Sequence, residues 1–153
     1  MNGTASNMRE REGDQRVIDF VWWTLRMSFG LMPLLAGLDK FFNLLVHWPK
    51  YLAPGLAGLV HTSPQHFMYL VGVIEIVAGL AMLLTPWTKV FAYVVAAWLI
   101  GIVLNLLATG FYDIAVRDLV MAVTAISLAR LTDIVHVPST APRAARHATT
   151  GAA

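Results

Sequence analysis

The stretch SPQHFMYLVGVIEIVAGLAMLLTPWTKVFAYVVAAWLIGIVLNLLATG, Ser63 to Gly110, decides the fold. It holds two apolar runs separated only by Pro86-Trp87-Thr88-Lys89, and each is long enough to cross the ~30 Å hydrocarbon core of a bilayer as a helix rising 1.5 Å per residue. Ser63 followed by Pro64 reads as an N-cap and a first helical position, and Pro86 stops the run after Thr85. The first run is therefore expected over 64–85 and the second over 90–108, joined as a tight helical hairpin. Thr109-Gly110-Phe111-Tyr112-Asp113 then turns the chain, with Asp113 the expected N-cap of the next helix.

Working outward, a third apolar segment lies before the hairpin, over 17–46, and a fourth after it, over 114–137. The segment 17–46 is roughly 30 residues, ~45 Å of helix, so it must tilt, kink at Pro33 or overhang the membrane. Composition agrees with a membrane-embedded chain: 153 residues are 58% hydrophobic and 13% charged, with a mean hydropathy of +0.65, too apolar for a soluble domain of this size. The expected fold is an all-α integral membrane four-helix bundle over 17–137. A polar, charge-balanced, uncleaved N-terminal tail is expected over 1–16, and a disordered Pro-, Ala- and Thr-rich tail over 138–153.

Four crossings put both termini on one side. That side collects Arg9, Arg11, Arg16, Lys89, Arg130, Arg143 and Arg146, against Lys40, Lys50 and Arg117 on the other, so both termini are expected in the cytoplasm of a bacterial cell whose inner membrane the chain spans. The loop from His47 to His66 then faces outward, and its Trp48, Tyr51 and LAPGLAGLV stretch suit a short interfacial helix or a half-buried lid.

Function classes fall away quickly. A net charge of +2 without a basic patch gives no support for nucleic-acid binding. The chain has no cysteine, which excludes disulfides, thiol redox chemistry and thiolate metal sites. The five histidines His47, His61, His66, His136 and His147 lack the i, i+4 spacing of a helical metal pair, so no metal site and no covalently bound cofactor is expected. No serine or histidine lies beside the acids as a nucleophilic triad would require.

What remains is charge inside the apolar segments. An ionisable group there costs at least ~2.5 to 3.5 kcal/mol on insertion scales and persists only when paired, hydrated or snorkelling. Counting from Trp23 and Trp87 as inner markers and Asp113 as an outer one, Arg26 lies ~5 Å deep, Glu75 ~18 Å, Asp118 ~22 Å, Asn105 ~24 Å and Lys40 ~25 Å. Asp39, Lys40, Asn105, Arg117 and Asp118 thus share an outer layer that is neutral as a set, with Glu75 about one turn beneath it. Arg26, Gly30, Pro33, Gly37 and Lys40 recur at helical spacing on one stripe, and Met68, Gly72, Glu75, Gly79 and Met82 make a matching stripe on the next helix. Glu75 can meet Lys40 above it or Arg26 below it. The pairing serves either chemistry or simply helix register, and the outer layer is either a site or a set of boundary residues.

Leu25-Arg26, Leu35-Ala-Gly-Leu-Asp-Lys40-Phe, Gly72-Val-Ile-Glu75-Ile-Val-Ala-Gly79 and Ile114-Ala-Val-Arg117-Asp118-Leu, in this order over residues 17 to 135, resemble the DoxX-like membrane proteins. The resemblance implies the small membrane subunit of a thiosulfate:quinone oxidoreductase type, or a partner of another membrane oxidoreductase, not catalytic on its own. Arg26, Lys40, Glu75, Arg117 and Asp118 are the matching residues, and no catalytic assignment travels with them. The lipid bilayer, a redox partner protein and quinone are then the expected partners, with a homo-oligomer also open. Two other readings stand beside this one: a small proton-coupled carrier using Glu75, and a purely structural subunit of a larger complex.

Overall fold

The computed structural model describes residues 2–59 and 63–135. The C-terminal stretch 138–153, His61 and His136 lie outside them. Among the described residues the chain is helical with no strand: α1 (Asn2–Phe42), a 3-10 turn (Trp48–Tyr51), α2 (Pro54–Leu59), α3 (Pro64–Leu84), α4 (Thr88–Thr109) and α5 (Tyr112–Val135).

Local chemistry accounts for most of the boundaries. The Ser63 hydroxyl accepts from the His66 N–H at 3.3 Å and Pro64 opens α3, removing two of the unpaired donors that every helix start carries. Gly110 closes α4 in the left-handed region, φ 80°, where its N–H returns to the carbonyls of Leu106 and Leu107. Asp113 sits within the first turn of α5 rather than at its N-cap. Its carboxylate there still faces the positive end of the helix dipole.

Two boundaries of α1 differ from expectation. The helix ends at Phe42 rather than Val46 because Asn43 adopts a positive φ of 50°, a conformation asparagine tolerates better than most residues and a common way to stop a helix. At the other end the polar segment 2–16 is part of the same helix. Its Glu12 precedes Arg16 by four residues, the favourable order for a helical ion pair, and Gln15 Nε2 donates to Asp19 Oδ1 at 3.0 Å. Pro33 is carried inside the helix.

α3 and α4 are each long and apolar enough to cross a membrane. Helix α1 lies along α3, α4 lies along α5, and α1 also meets α5, whereas α3 and α4 touch little. The α1–α3 contact is backbone to backbone: a Cβ on Gly37 would lie 2.6 Å from the Gly72 carbonyl oxygen, and one on Gly79 would lie 2.6 Å from that of Gly30. Such close approach is how helices gain dispersion energy where lipid removes the hydrophobic drive. The buried residues of α3 are Met68, Gly72, Glu75, Gly79 and Met82, one continuous stripe. On α5 the small residues Ala122, Ala125 and Ala129 face α4 and are essentially inaccessible.

Candidate functional site

The two ends of the molecule are built differently, and the chemistry lies at the end nearer the 43–59 loop. Lys40, in the last turn of α1, donates from Nζ to Glu75 Oε2 of α3 at 2.6 Å, with only 4% and 7% of their side chains exposed. The Gly37–Gly72 approach brings the two helices close enough for this reach. Above the ammonium lies the face of Trp48, its centroid 3.7 Å from Nζ, so the cation is held by a carboxylate on one side and a π face on the other. The Trp48 indole donates in turn to Asp39 Oδ2 at 2.7 Å. Asp39 Oδ1 accepts the backbone N–H groups of Leu44 and Leu45 at 2.9 and 3.0 Å. Asp39, Trp48, Lys40 and Glu75 therefore form one chain of contacts that folds the loop back over the α1–α3 seam.

Asn105 fastens the same loop from α4. Its Oδ1 accepts from Ala53 N at 2.9 Å and its Nδ2 donates to Tyr51 O at 2.6 Å, while Leu52 and Ala53 are buried between them. The loop thus holds both features open to it: short helical turns and a segment tucked inward.

Beneath it lies a cavity of about 820 Å³. Its wall is apolar apart from a patch formed by Lys40, Glu75, Asn105, Asp118 and Trp98. Asp118 makes no hydrogen bond or ion pair among the described residues but is near enough to Lys40 and Glu75 for direct Coulombic interaction. The Trp98 Nε1–H is buried and has no hydrogen-bond partner. It lies close to the Glu75 carboxylate and interacts with it electrostatically, without meeting the geometry of a hydrogen bond. Val94, Ala97 and Gly101 of α4 and Ile74 of α3 both line the cavity and are exposed, so it opens sideways between these two helices.

Of the seven polar residues singled out by depth, Lys40, Glu75, Asp39, Asn105 and Asp118 come together around this cavity and loop. Arg26 does not. Its guanidinium donates to the carbonyls of Met82, Leu83 and Thr85 at 3.0, 3.1 and 2.6 Å and lies over the rings of Trp22 and Trp23, capping the C-terminal end of α3, where carbonyls lack helical partners. Arg117 is exposed and does not line the cavity. Trp98 had a signal that depth counting passed over: tryptophan favours membrane interfaces, yet this one stands mid-way along the most apolar helix.

The DoxX family model matches residues 21–109, more than half of the chain. The chain belongs to the DoxX family. No curated protein and no solved structure matches it. The family is membrane-associated, in keeping with the two apolar helices α3 and α4. The matched stretch of this DoxX chain contains Arg26, Asp39, Lys40, Glu75, Trp98 and Asn105, and ends before α5, so Arg117 and Asp118 lie beyond it.

Proposed function

We propose that this DoxX chain is a multi-pass subunit of the bacterial inner membrane that serves a membrane oxidoreductase of the thiosulfate:quinone type, or a similar quinone-linked system, by holding a lipophilic ligand in the cavity between α3 and α4. In this reading four crossings, over 17–46, 64–85, 90–108 and 114–137, form a four-helix bundle with both termini in the cytoplasm. The observation that carries it is the buried Lys40–Glu75 pair in the wall of an apolar cavity of about 820 Å³. Pockets of this size, apolar with a few convergent polar groups, are typical of small-molecule sites. The outward-facing Leu35, Leu38, Leu104, Val120 and Val123 are exposed and suit contact with lipid chains.

The fit of a quinone rests on this chain's own groups. Lys40 and Glu75 neutralise one another and the Asp118 carboxylate stands close to Lys40, so the wall disfavours an anion and admits a neutral ring. The ring would lie against Trp98 and the apolar faces of α3 and α4, with the 43–59 loop excluding water at one end. A bound quinone would supply the electron acceptor that this cysteine-free chain lacks.

The test is purification of the tagged protein from native membranes in mild detergent, with identification of co-purifying proteins and of lipophilic molecules in an organic extract. A redox protein or a quinone in near-stoichiometric amount is the expected result. A stable bare homo-oligomer carrying neither contradicts the proposal.

One observation favours a second reading: Glu75 borders the cavity, so a proton-coupled carrier would have its acid in reach of a substrate. Liposome flux with Glu75→Gln separates the two, since a carrier loses transport while folding persists.

A further inference from the structure

We infer that the indole N–H of Trp98 is the hydrogen-bond donor that orients the cavity's ligand, that this ligand is a neutral lipophile bearing a carbonyl oxygen, and that it enters from the bilayer through the gap between α3 and α4. The inference rests on the reading of the cavity as a lipophile site and goes beyond it by naming the anchoring group, the chemistry recognised and the route.

A buried donor without a partner costs roughly 1 to 3 kcal/mol, and such groups are rare in native structures. Trp98 Nε1 is one of two buried side-chain polar atoms left unpaired among the described residues, the other being Thr88 Oγ1. Thr88 is fully inaccessible and does not line the cavity. Trp98 lines it. An indole can only donate, so the complementary ligand atom is an acceptor. Lys40 reinforces the choice: an ammonium has three donors, one engaged by Glu75 and another side of the group covered by the Trp48 ring, which leaves donor capacity on the cavity wall. With Lys40 already paired to Glu75 and the Asp118 carboxylate nearby, a neutral carbonyl matches these donors better than an anion does.

The route follows from the glycine pattern. Gly30, Gly37, Gly72 and Gly79 stand where α1 and α3 touch, and an added Cβ would collide with atoms of the other helix. Gly101 differs, because a Cβ there meets nothing within 4 Å. It faces the gap, next to Ala97 and Trp98 on α4, so its missing side chain leaves the doorway wide rather than drawing helices together.

The experiment uses the full chain in lipid nanodiscs, with decylubiquinone as the carbonyl probe and decylbenzene as a probe with the same tail and no acceptor. Trp98→Phe keeps an aromatic ring and removes only the N–H. Decylubiquinone affinity is expected to fall about tenfold, the scale of one hydrogen bond, while decylbenzene affinity stays the same. Gly101→Leu is expected to slow association of both probes and to leave the thermal unfolding midpoint unchanged. A membrane-lipid ester carries the same carbonyl, so the titration is repeated in ether-linked lipid. Equal affinity there assigns the site to the ring carbonyl, and clearly tighter binding assigns its resident occupant to the lipid ester.

If Trp98 instead serves the Glu75 carboxylate, Trp98→Phe lowers stability and leaves decylubiquinone affinity unchanged, which overturns the inference while the quinone reading survives. If neither probe binds the wild-type chain, the lipophile site itself is wrong and the inference falls with it.

Discussion

The two ends of this molecule use one device for opposite purposes. At each end a cation from α1 lies against tryptophan, Arg26 over Trp22 and Trp23, Lys40 beneath Trp48. Arg26 then spends its donors on three backbone carbonyls at the end of α3. Around it the packing is closed: Met82, Leu128 and Ala129 are wholly inaccessible, and the Trp22 indole donates to Thr132 at 2.8 Å. Lys40 meets a carboxylate instead, and the packing beside it is hollow. A planar guanidinium can satisfy several carbonyls and so seals an end, whereas a point-charge ammonium with one acid partner leaves the neighbouring space free. A solid end and a hollow end on one set of helices is the arrangement expected of a scaffold that supports a site.

The largest break in that comparison should come from Lys40→Met. It strands Glu75 as a buried unpaired charge, a loss of about 3 to 5 kcal/mol, whereas Lys40→Met combined with Glu75→Leu should recover most of the stability. Unfolding of the detergent-solubilised variants in increasing denaturant checks both. If the double variant is as unstable as the single one, the pair is more than a mutually compensating charge pair. Next comes Gly79→Val, where the added carbons meet the Gly30 carbonyl and Leu34 backbone. Forcing the α1–α3 seam apart should cost about 1 to 3 kcal/mol by the same measurement.

Arg26→Gln should follow at roughly 1.5 to 3 kcal/mol, since it removes charged donors from carbonyls at the closed end. Its signature is the location of the loss: hydrogen exchange should accelerate at Met82 to Thr85 and not at the 43–59 loop. Asn105→Ala should act the other way round. It removes two bonds from the loop, about 0.5 to 1.5 kcal/mol each, and exchange should accelerate around Tyr51 to Ala53 with the α3 terminus unchanged. The smallest effect belongs to Lys89→Ala, which breaks an exposed ion pair with Asp133 at 2.7 Å. Such pairs are worth about 0 to 1 kcal/mol, so the unfolding midpoint should scarcely move.

The difference between the ends also explains what could be read from the residues alone. The α1–α3 seam was legible because glycine spacing and helical period place Gly37, Gly72 and Gly79 on facing stripes, and a buried acid must find a base. Rise per residue set Glu75 about 7 Å below Lys40 and about 13 Å above Arg26, and a register error of a turn leaves both pairings open. Counting depth cannot choose between them, because the choice depends on side-chain direction and on the pull of the α3 carbonyls upon Arg26. Asp39 and Asn105 were recognisable as polar groups within apolar segments, but their partners are the Trp48 indole and backbone groups of a loop whose path no periodicity encodes. The end of α1 turns on Asn43, a stop signal masked by the apolar residues that follow it. Helix in the segment 2–16 was hidden by its polar composition, which offers no apolar period to read locally. An apolar groove over the polar layer could be supposed from the aromatics Trp48, Tyr51 and Phe67, but the cavity's place between α3 and α4 was not legible, since a void is set by where helices diverge and not by any residue type.

The central claim is that the hollow end holds a lipophilic ligand, and photolabelling tests it most directly. An azido-substituted decylquinone is irradiated with native membranes containing the chain, and the labelled peptides are mapped by mass spectrometry. The account predicts adducts on the facing walls of the gap, at Ile74 and Ala78 of α3 and at Val94 and Ala97 of α4, reduced in Gly101→Leu. Adducts confined to Val77 and Leu104, exposed side chains that do not line the cavity, would contradict it.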